Sequence, residues 1–395
     1  MGEVHSAGPG EAAKWRFVRR RAYAVFLAHG YREVQPSPFD LAGTAAKAGT
    51  APVLSADDAE LRPDPLVSVA QLFARATNES GEKFARWMTA GNAFDAEPAG
   101  PLRWPTWHAV SGGVFGAVEP AADAEIAALC LALAGDLGMT GAEVVLSTLG
   151  DPGDLAKFID ATVELRPLRC ADCRASSAPL RFLTCEDEGC RALAQSAPPL
   201  RQFVSVAALK HHESVLATLE ASGFTVRDDP RLAFGAGRYG RTLIELRAKG
   251  PNGPLTLARG GRRDALVQAL GGKPTPAVGM SLGVARTAAC LPGEGDSYET
   301  GCEIFIAARG TAARAWALKV ASAERARGFR VDVDLRDLGW AEQLMRAERV
   351  RARVVLVVGE VERKKGEVAI RDMQTRETRN IPEETLSAEL KRLLR

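Results

Sequence analysis

The sequence predicts an α+β protein in two parts: residues 1–300, where short strands read as antiparallel pairs among helices, and an α/β domain over 301–395. Three observations lead there. Strand-like runs in the first part are joined by turns and flanked by helical stretches. The second part alternates strand and helix at short spacing. The polar junction Pro292 to Thr300 separates these textures.

The elements follow in order. Glu11 to His29 reads as a helix whose apolar face carries Trp15, Val18, Tyr23, Phe26 and Leu27, ended by Gly30. Arg16, Arg19, Arg20 and Arg21 give it a wet side. Tyr31 to Val34 starts a strand that Pro36 and Pro38 stop. Leu66 to Thr77 is helical, and Trp87, Trp104 and Trp107 flank two short antiparallel strands joined near Pro98 to Pro101. Then come a helix over Ala121 to Leu137, a strand over Ala142 to Ser147, and a helix over Lys210 to Ser222 that Gly223 closes. Thr242 to Leu246 and Leu255 to Ala258 pair around the turn Pro251-Asn252-Gly253-Pro254. After the junction, Cys302 to Ala307, Phe329 to Asp334 and Glu367 to Asp372 are strands. The wholly apolar Val354 to Val358 is a strand covered on both faces. Thr311 to Arg327, Ala341 to Val350 and Pro382 to Leu394 are helices.

Composition narrows the class. The chain has 395 residues, of which 46% are hydrophobic and 25% charged, as in an ordinary globular protein. A net charge of +2 disfavours a protein that mainly coats nucleic acid. No apolar run approaches the roughly 18 residues that span a bilayer. The opening MGEVHSAGPGEAAKW lacks a signal core, so a cytoplasmic protein without membrane contact is expected. Seven cysteines, four of them clustered, suit a reducing compartment.

Several stretches carry a resemblance: GYREV at 30–34, LRPD at 61–64, LGD at 149–151, DPRLAFGAGRYGRT at 229–242 and GGKPTPAVGMSLGVARTAAC at 271–290. The tail VDLRDLGWAEQLMRAERVRARVVLVVGEVERKKGEVAIRD at 333–372 adds to them. In this order and spacing the chain resembles the histidyl-tRNA synthetase family, class II, and its paralogues, including the regulatory subunit of ATP phosphoribosyltransferase. The resemblance implies a class II synthetase-like α+β core with a six-stranded antiparallel sheet, a helical and cysteine-rich insert at about 155–225, and a C-terminal anticodon-binding-like α/β domain. It also implies a homodimer. An active member would join ATP to histidine and pass the aminoacyl group to tRNA.

The resemblance assigns site positions one by one. The family's motif 2 phenylalanine is followed by an arginine that clamps the α-phosphate and the amino-acid carboxylate. Here Phe94 is followed by Asp95, a like charge. Losing one well-placed donor typically costs around 3 kcal/mol of transition-state stabilisation. Phe234 stands at a second family arginine, Arg238 at the first of two tyrosines, and Tyr239 keeps the other. Leu66 replaces a threonine for the substrate amino group, Asp64 keeps a shortened acid beside it, and Gly113 replaces a glutamate before VFG. Arg263 replaces a further tyrosine, and His108 keeps a family histidine. Glu97, Arg103 and Arg286, the last at the motif 3 arginine in SLGVAR, survive as expected nucleotide contacts.

Cys170, Cys173, Cys185 and Cys190 can surround a tetrahedral zinc through a CxxC knuckle and a looser second pair. Reduced cysteines without metal are the other reading. Cys130, Cys290 and Cys302 read as core thiols, and His211 and His212 as surface or helix-cap residues. Arg346, Arg349, Arg351, Arg353, Arg363, Lys364 and Lys365 could face RNA, although interleaved acids make tRNA the less favoured partner.

Asp95 and Phe234 together lead to the expectation of a non-catalytic regulatory or interaction protein, a pseudoenzyme that binds a partner enzyme or a small anionic ligand. The alternative is a histidine–tRNA ligase or related ATP-dependent adenylating enzyme with an altered substrate, using ATP and magnesium.

Overall fold

The computed structural model describes residues 6–49, 53–56, 59–94, 106–176, 178–185, 187–336 and 338–394. Asp95, Glu97 and Arg103 lie outside the described residues. The chain forms two compact units, Met1–Tyr298 and Glu299–Arg395. Among the described residues no helix is long and apolar enough to cross a membrane.

The first unit contains the strands β1 (Arg32–Glu33), β2 (Phe39–Leu41), β3 (Val53–Ala56), β4 (Ala59–Leu61), β5 (Ala85–Phe94), β6 (Thr106–Phe115), β7 (Glu143–Thr148), β8 (Arg227–Asp228), β9 (Gly240–Gly250), β10 (Gly253–Arg262) and β11 (Ala277–Gly283). Its main sheet runs β1-β5-β6-β11-β10-β9-β7-β8. The inner six strands are antiparallel, and the two-residue edges β1 and β8 pair in parallel. The implied six-stranded antiparallel sheet is therefore present. A three-stranded sheet, β2-β4-β3, is not legible as strands because its members are short and interrupted by polar residues.

Alternation along the strands sends Val110, Met280, Leu282 and Leu246 to one face. There the helices Pro9–Ala28 and Pro120–Asp136 cover them with Val18, Ala22, Phe26, Leu129 and Leu133. Each of the larger side chains, Val18, Phe26, Leu129 and Leu133, contributes roughly 1.5–3 kcal/mol when fully withdrawn from water. Phe26 lies so close that a Cβ on Gly112 would collide with its ring. The opposite face is partly covered by the helix Pro65–Glu79, through Leu66, Val69 and Phe73, and by the insert.

The insert consists of the helices Pro152–Ala161, Ala171–Ala175, Glu188–Ser196 and Val206–Ala221 with short 3-10 turns between them. His211 and His212 correct the surface reading. His211 Nε2 lies 3.3 Å from the buried Asp123, and His212 Nε2 lies 3.0 Å from Asp228. Both are buried because the first turns of Val206–Ala221 pack inward on the sheet and on the helix Pro120–Asp136.

The second unit contains β12 (Ile304–Ala308), β13 (Val331–Val333), β14 (Val354–Val358), β15 (Glu367–Asp372) and β16 (Thr378–Pro382), in the order β13-β12-β14-β15-β16. The first three are parallel and the last two antiparallel. Val354, Leu356 and Val358 face one apolar cluster and Val355 another, as the unbroken apolar run predicts.

Asp40 on β2 provides a stability test. It is 3% exposed, accepts a hydrogen bond from Ser68 Oγ at 2.8 Å, and leaves its second oxygen unpartnered. Burial pushes its carboxyl up to about 6, although the Ser68 hydroxyl pulls the other way. The folded value lies above the unfolded one, so this group's favourable contribution is complete below pH ~4 and is lost as pH rises through about 6. Asp40→Asn is expected to raise stability by on the order of 2–3 kcal/mol at pH 8 and to change little at pH 4. Urea unfolding at the two pH values checks this. An equal effect at both would exclude a titrating Asp40.

Candidate functional site

Register builds the site face. Thr89 on β5 opposes Ser111 on β6, Ser111 opposes Ser281 on β11, Ser281 opposes Arg259 on β10, and Arg259 opposes Glu245 on β9. Directly opposed residues of an antiparallel sheet point the same way. These strands therefore lay a row of polar side chains across one face. Ser111 Oγ and Ser281 Oγ are 2.8 Å apart, and Ser281 Oγ donates to Asp64 Oδ1 at 3.1 Å.

Two residues along the strands lies a second row: Trp87, Gly113, Gly279, Gly261 and Leu243. Three successive glycines leave a trough. Leu66 enters it from the helix Pro65–Glu79, so a Cβ on Gly113 would meet Leu66 Cδ1 at 3.1 Å and one on Gly279 would meet Leu66 Cδ2 at 2.9 Å. Tyr239 closes the other end, 3.1 Å from where a Cβ on Gly261 would stand. Leu66 and Gly113 are thus complementary: the leucine fills the room that a longer side chain at 113 would need.

Asp64 caps the helix Pro65–Glu79 by accepting from Leu66 N at 3.0 Å. Its other oxygen accepts from Arg263 Nη1 at 2.9 Å. Arg263 is 3% exposed, also donates to Ala48 O at 3.2 Å, and lies 5.5 Å from the Tyr239 ring centroid. A buried ion pair therefore occupies the position between Asp64 and Tyr239.

A second constellation lies one row across. Glu245 is 1% exposed and accepts from Arg259 Nε at 2.7 Å, Arg247 Nε at 2.5 Å and Thr256 Oγ1 at 3.1 Å. Burial pushes this carboxyl up, but the Arg259 and Arg247 guanidiniums outweigh it and hold it below the usual glutamate value. Arg286, on the helix Val284–Ala289, donates from Nη1 to Thr256 O at 3.0 Å. The Arg259 guanidinium lies 5.0 Å from the Phe234 ring centroid, and Phe234 meets Tyr239 edge-on at 5.5 Å.

The structure thus brings Asp64, Leu66, Gly113, Tyr239 and Arg263 together, and places Phe234 and Arg286 beside the second constellation. Arg238 is half-buried in the adjoining turn, next to Gly237, whose carbonyl approaches Gly49. His108 does not belong to this face. Its ring meets Trp15 of the helix Pro9–Ala28 edge-on at 5.1 Å, because it alternates with Ala109 and shares the direction of Val110. Burial, then Arg19, holds its imidazole below the ordinary histidine value.

Arg259 and Arg247 are site residues that the sequence pattern does not single out. The apolar runs end at Leu246 and Ala258, one residue short of each. Two of the four cysteine thiols, Cys170 and Cys185, are 3.8 Å apart, and all four Sγ atoms lie within 4.8 Å of one another. A tetrahedral zinc with Zn–S bonds near 2.3 Å requires sulfur separations of about 3.8 Å. The cluster fits that ion.

Residues 3–287 match the family model "Histidyl-tRNA synthetase", and residues 303–393 match "Anticodon binding domain". The chain is 32% identical over 390 residues to a histidine–tRNA ligase of Anaeromyxobacter sp. (strain K), covering 93% of each chain. It is 32% identical over 327 residues to that of Aquifex aeolicus (strain VF5), covering 81% of this chain and 80% of the relative. Among solved structures, the apo histidyl-tRNA synthetase of S. aureus superposes with a TM-score of 0.77 at 22% identity, over 99% of this chain and 100% of that one. An ATP phosphoribosyltransferase regulatory subunit/histidyl-tRNA synthetase from Bacillus halodurans C gives a TM-score of 0.66 at 17% identity, over 91% and 97%. At these identities the structures speak for the fold. Near-full-length similarity to ligases overturns the expectation of a non-catalytic pseudoenzyme or regulatory subunit. That expectation weighs residues 95 and 234 one position at a time and does not count the guanidiniums that neighbouring strands bring to the same face.

Proposed function

The chain belongs to the histidyl-tRNA synthetase family, and from that premise we propose that it is an ATP-dependent enzyme that activates an amino acid or related carboxylic acid as its adenylate. The observation that carries this reading is the 93% mutual coverage with a histidine–tRNA ligase. In the proposed step a substrate carboxylate oxygen attacks the α-phosphorus of ATP, the new P–O bond forms, and pyrophosphate leaves with the electrons of the broken bond. Negative charge builds on the phosphates, which favours a face lined with fixed guanidiniums. Magnesium arriving with ATP would neutralise part of that charge.

The acyl group is the altered part of the proposal. Leu66 fills the trough at Gly113, and Arg263 already neutralises Asp64. Both changes remove groups that a polar amino acid would pair with, and such losses lower discrimination strongly. The second unit supports tRNA as acceptor through its match to the anticodon-binding model. A homodimer, a reducing cytoplasmic compartment and a structural zinc held by Cys170, Cys173, Cys185 and Cys190 complete the reading. A closed set of four thiolates leaves no position for substrate, so the metal's part is to hold the insert.

Single-turnover incubation with ATP and mixed amino acids tests the reaction. The proposal expects an enzyme-bound acyl-adenylate, identified by its mass, and an equimolar release of pyrophosphate. ATP hydrolysed to ADP, or left intact with every acid, contradicts it.

A further inference from the structure

Glu245 is the only negative charge that Arg247 and Arg259 share among the hydrogen bonds of the described residues, so the trio carries an excess positive charge. Arg259 engages Glu245 through Nε alone. Its terminal nitrogens make no hydrogen bond among the described residues, and its side chain is 35% exposed. The guanidinium is held from two sides: Glu245 fixes its Nε edge at 2.7 Å, and the Phe234 ring supports it at 5.0 Å. An arginine so held keeps its two terminal nitrogens for a further partner at small additional entropic loss. The Ser281 hydroxyl stands on the facing residue of β11, and Arg286 reaches the β10 strand at Thr256 O, 3.0 Å away.

We propose that Arg259, oriented by Glu245 and Phe234 and flanked by Arg247, is an anion-binding residue that receives the phosphate groups of the nucleotide. A planar fork with two unengaged terminal nitrogens suits the paired oxygens of a phosphate better than a point charge does. Phe234 becomes the platform that aims a cation carried by the neighbouring strand. The inference rests on the adenylation reading only for which phosphoanion the site meets during turnover. The site itself is testable with pyrophosphate alone.

Calorimetric titration of the full chain with magnesium pyrophosphate provides the test, using wild type, Arg259→Ala and the charge-balanced pair Arg259→Met with Glu245→Gln. The pair removes both charges together, so it keeps the net charge of the trio and separates loss of the Arg259 fork from loss of charge balance. The expected result is binding by wild type, a loss of at least tenfold in both variants, and partial retention in Arg259→Lys. Arg379→Ala, on the second unit, should match wild type. Wild type that does not bind pyrophosphate overturns the site, as does undiminished affinity in both Arg259 variants. Weakened pyrophosphate binding in a protein that forms no adenylate would sink the adenylation reading while leaving the site standing. Normal adenylate formation, with an unchanged KM for ATP in both variants, would do the reverse.

Discussion

Arg262→Met is expected to destabilise the first unit by about 3–5 kcal/mol, because it strands a charge in the core. Arg262 ends β10 at 1% exposure, and Asp123, its partner, is fully buried on the helix Pro120–Asp136. Arg262 Nε donates to both Asp123 oxygens at 3.1 Å, while Nη1 donates to Ala117 O and Asp264 Oδ1 at 3.1 Å and Nη2 to Glu119 O at 3.3 Å. One side chain thus holds the start of that helix to the sheet. Burial pushes Asp123 up, but His211 and Arg262 together hold it below the usual aspartate value. Its stabilising share is therefore present above the unfolded value and is lost as pH falls. Urea unfolding of the full chain should show the loss, and adding Asp123→Asn should recover a large part of it. A single variant within 1 kcal/mol of wild type would mean that the pair is not a buried anchor.

Loss of the zinc proposed at Cys170, Cys173, Cys185 and Cys190 is the second large effect expected. Cys173 and Cys190 are buried with Leu180, Phe182 and Leu200 in the cluster that gives the insert its core. Cys170 N donates to Cys190 Sγ at 3.2 Å, and Cys190 N donates to Asp187 Oδ1 at 2.9 Å, which ties both knuckles to their helices. The segment that carries the four cysteines is built of short helices and turns, so it has no sheet ladder or long helix of its own to hold it. Structural zinc contributes on the order of 10 kcal/mol in isolated finger peptides. A chelator, or Cys170→Ser, should release one zinc per chain and abolish amide-exchange protection over residues 163–203. Protection in β5 and β6 should persist. Protein purified without metal, with this protection intact, would instead support four reduced thiols.

The terminal α/β unit is legible in the sequence because runs such as Val354–Val358 are wholly apolar and spaced between helical stretches, whereas the antiparallel core follows from the family resemblance. The site is only partly legible. Leu66 and Gly113 stand far apart in the chain, and only packing reveals that one fills the space of the other. The resemblance groups His108 with the site, yet His108 shares the direction of Val110 on β6 and so lies on the opposite face. Arg259 precedes two glycines that hide the continuation of β10, so its direction cannot be read without the register to Ser281 and Glu245. A period-two count through Arg259, Gly261 and Arg263 is the signal that the sequence does offer.

That register also changes the electrostatic balance of the face. Asp95 and Phe234 taken alone suggest a cleft stripped of cations, whereas Arg247, Arg259 and Arg286 gather around Glu245 and Thr256 on adjoining strands. A developing phosphate charge responds to where the guanidiniums lie in space, not to which strand supplies them.

The most direct measurement is ATP–pyrophosphate exchange by the purified full-length chain, with each amino acid in turn and a set of related carboxylic acids. Label should enter ATP with at least one acid and not without it, and Arg286→Ala should suppress the signal. Background incorporation with every acid, in protein shown to be folded and zinc-loaded, would contradict the claim that this chain activates a carboxylate.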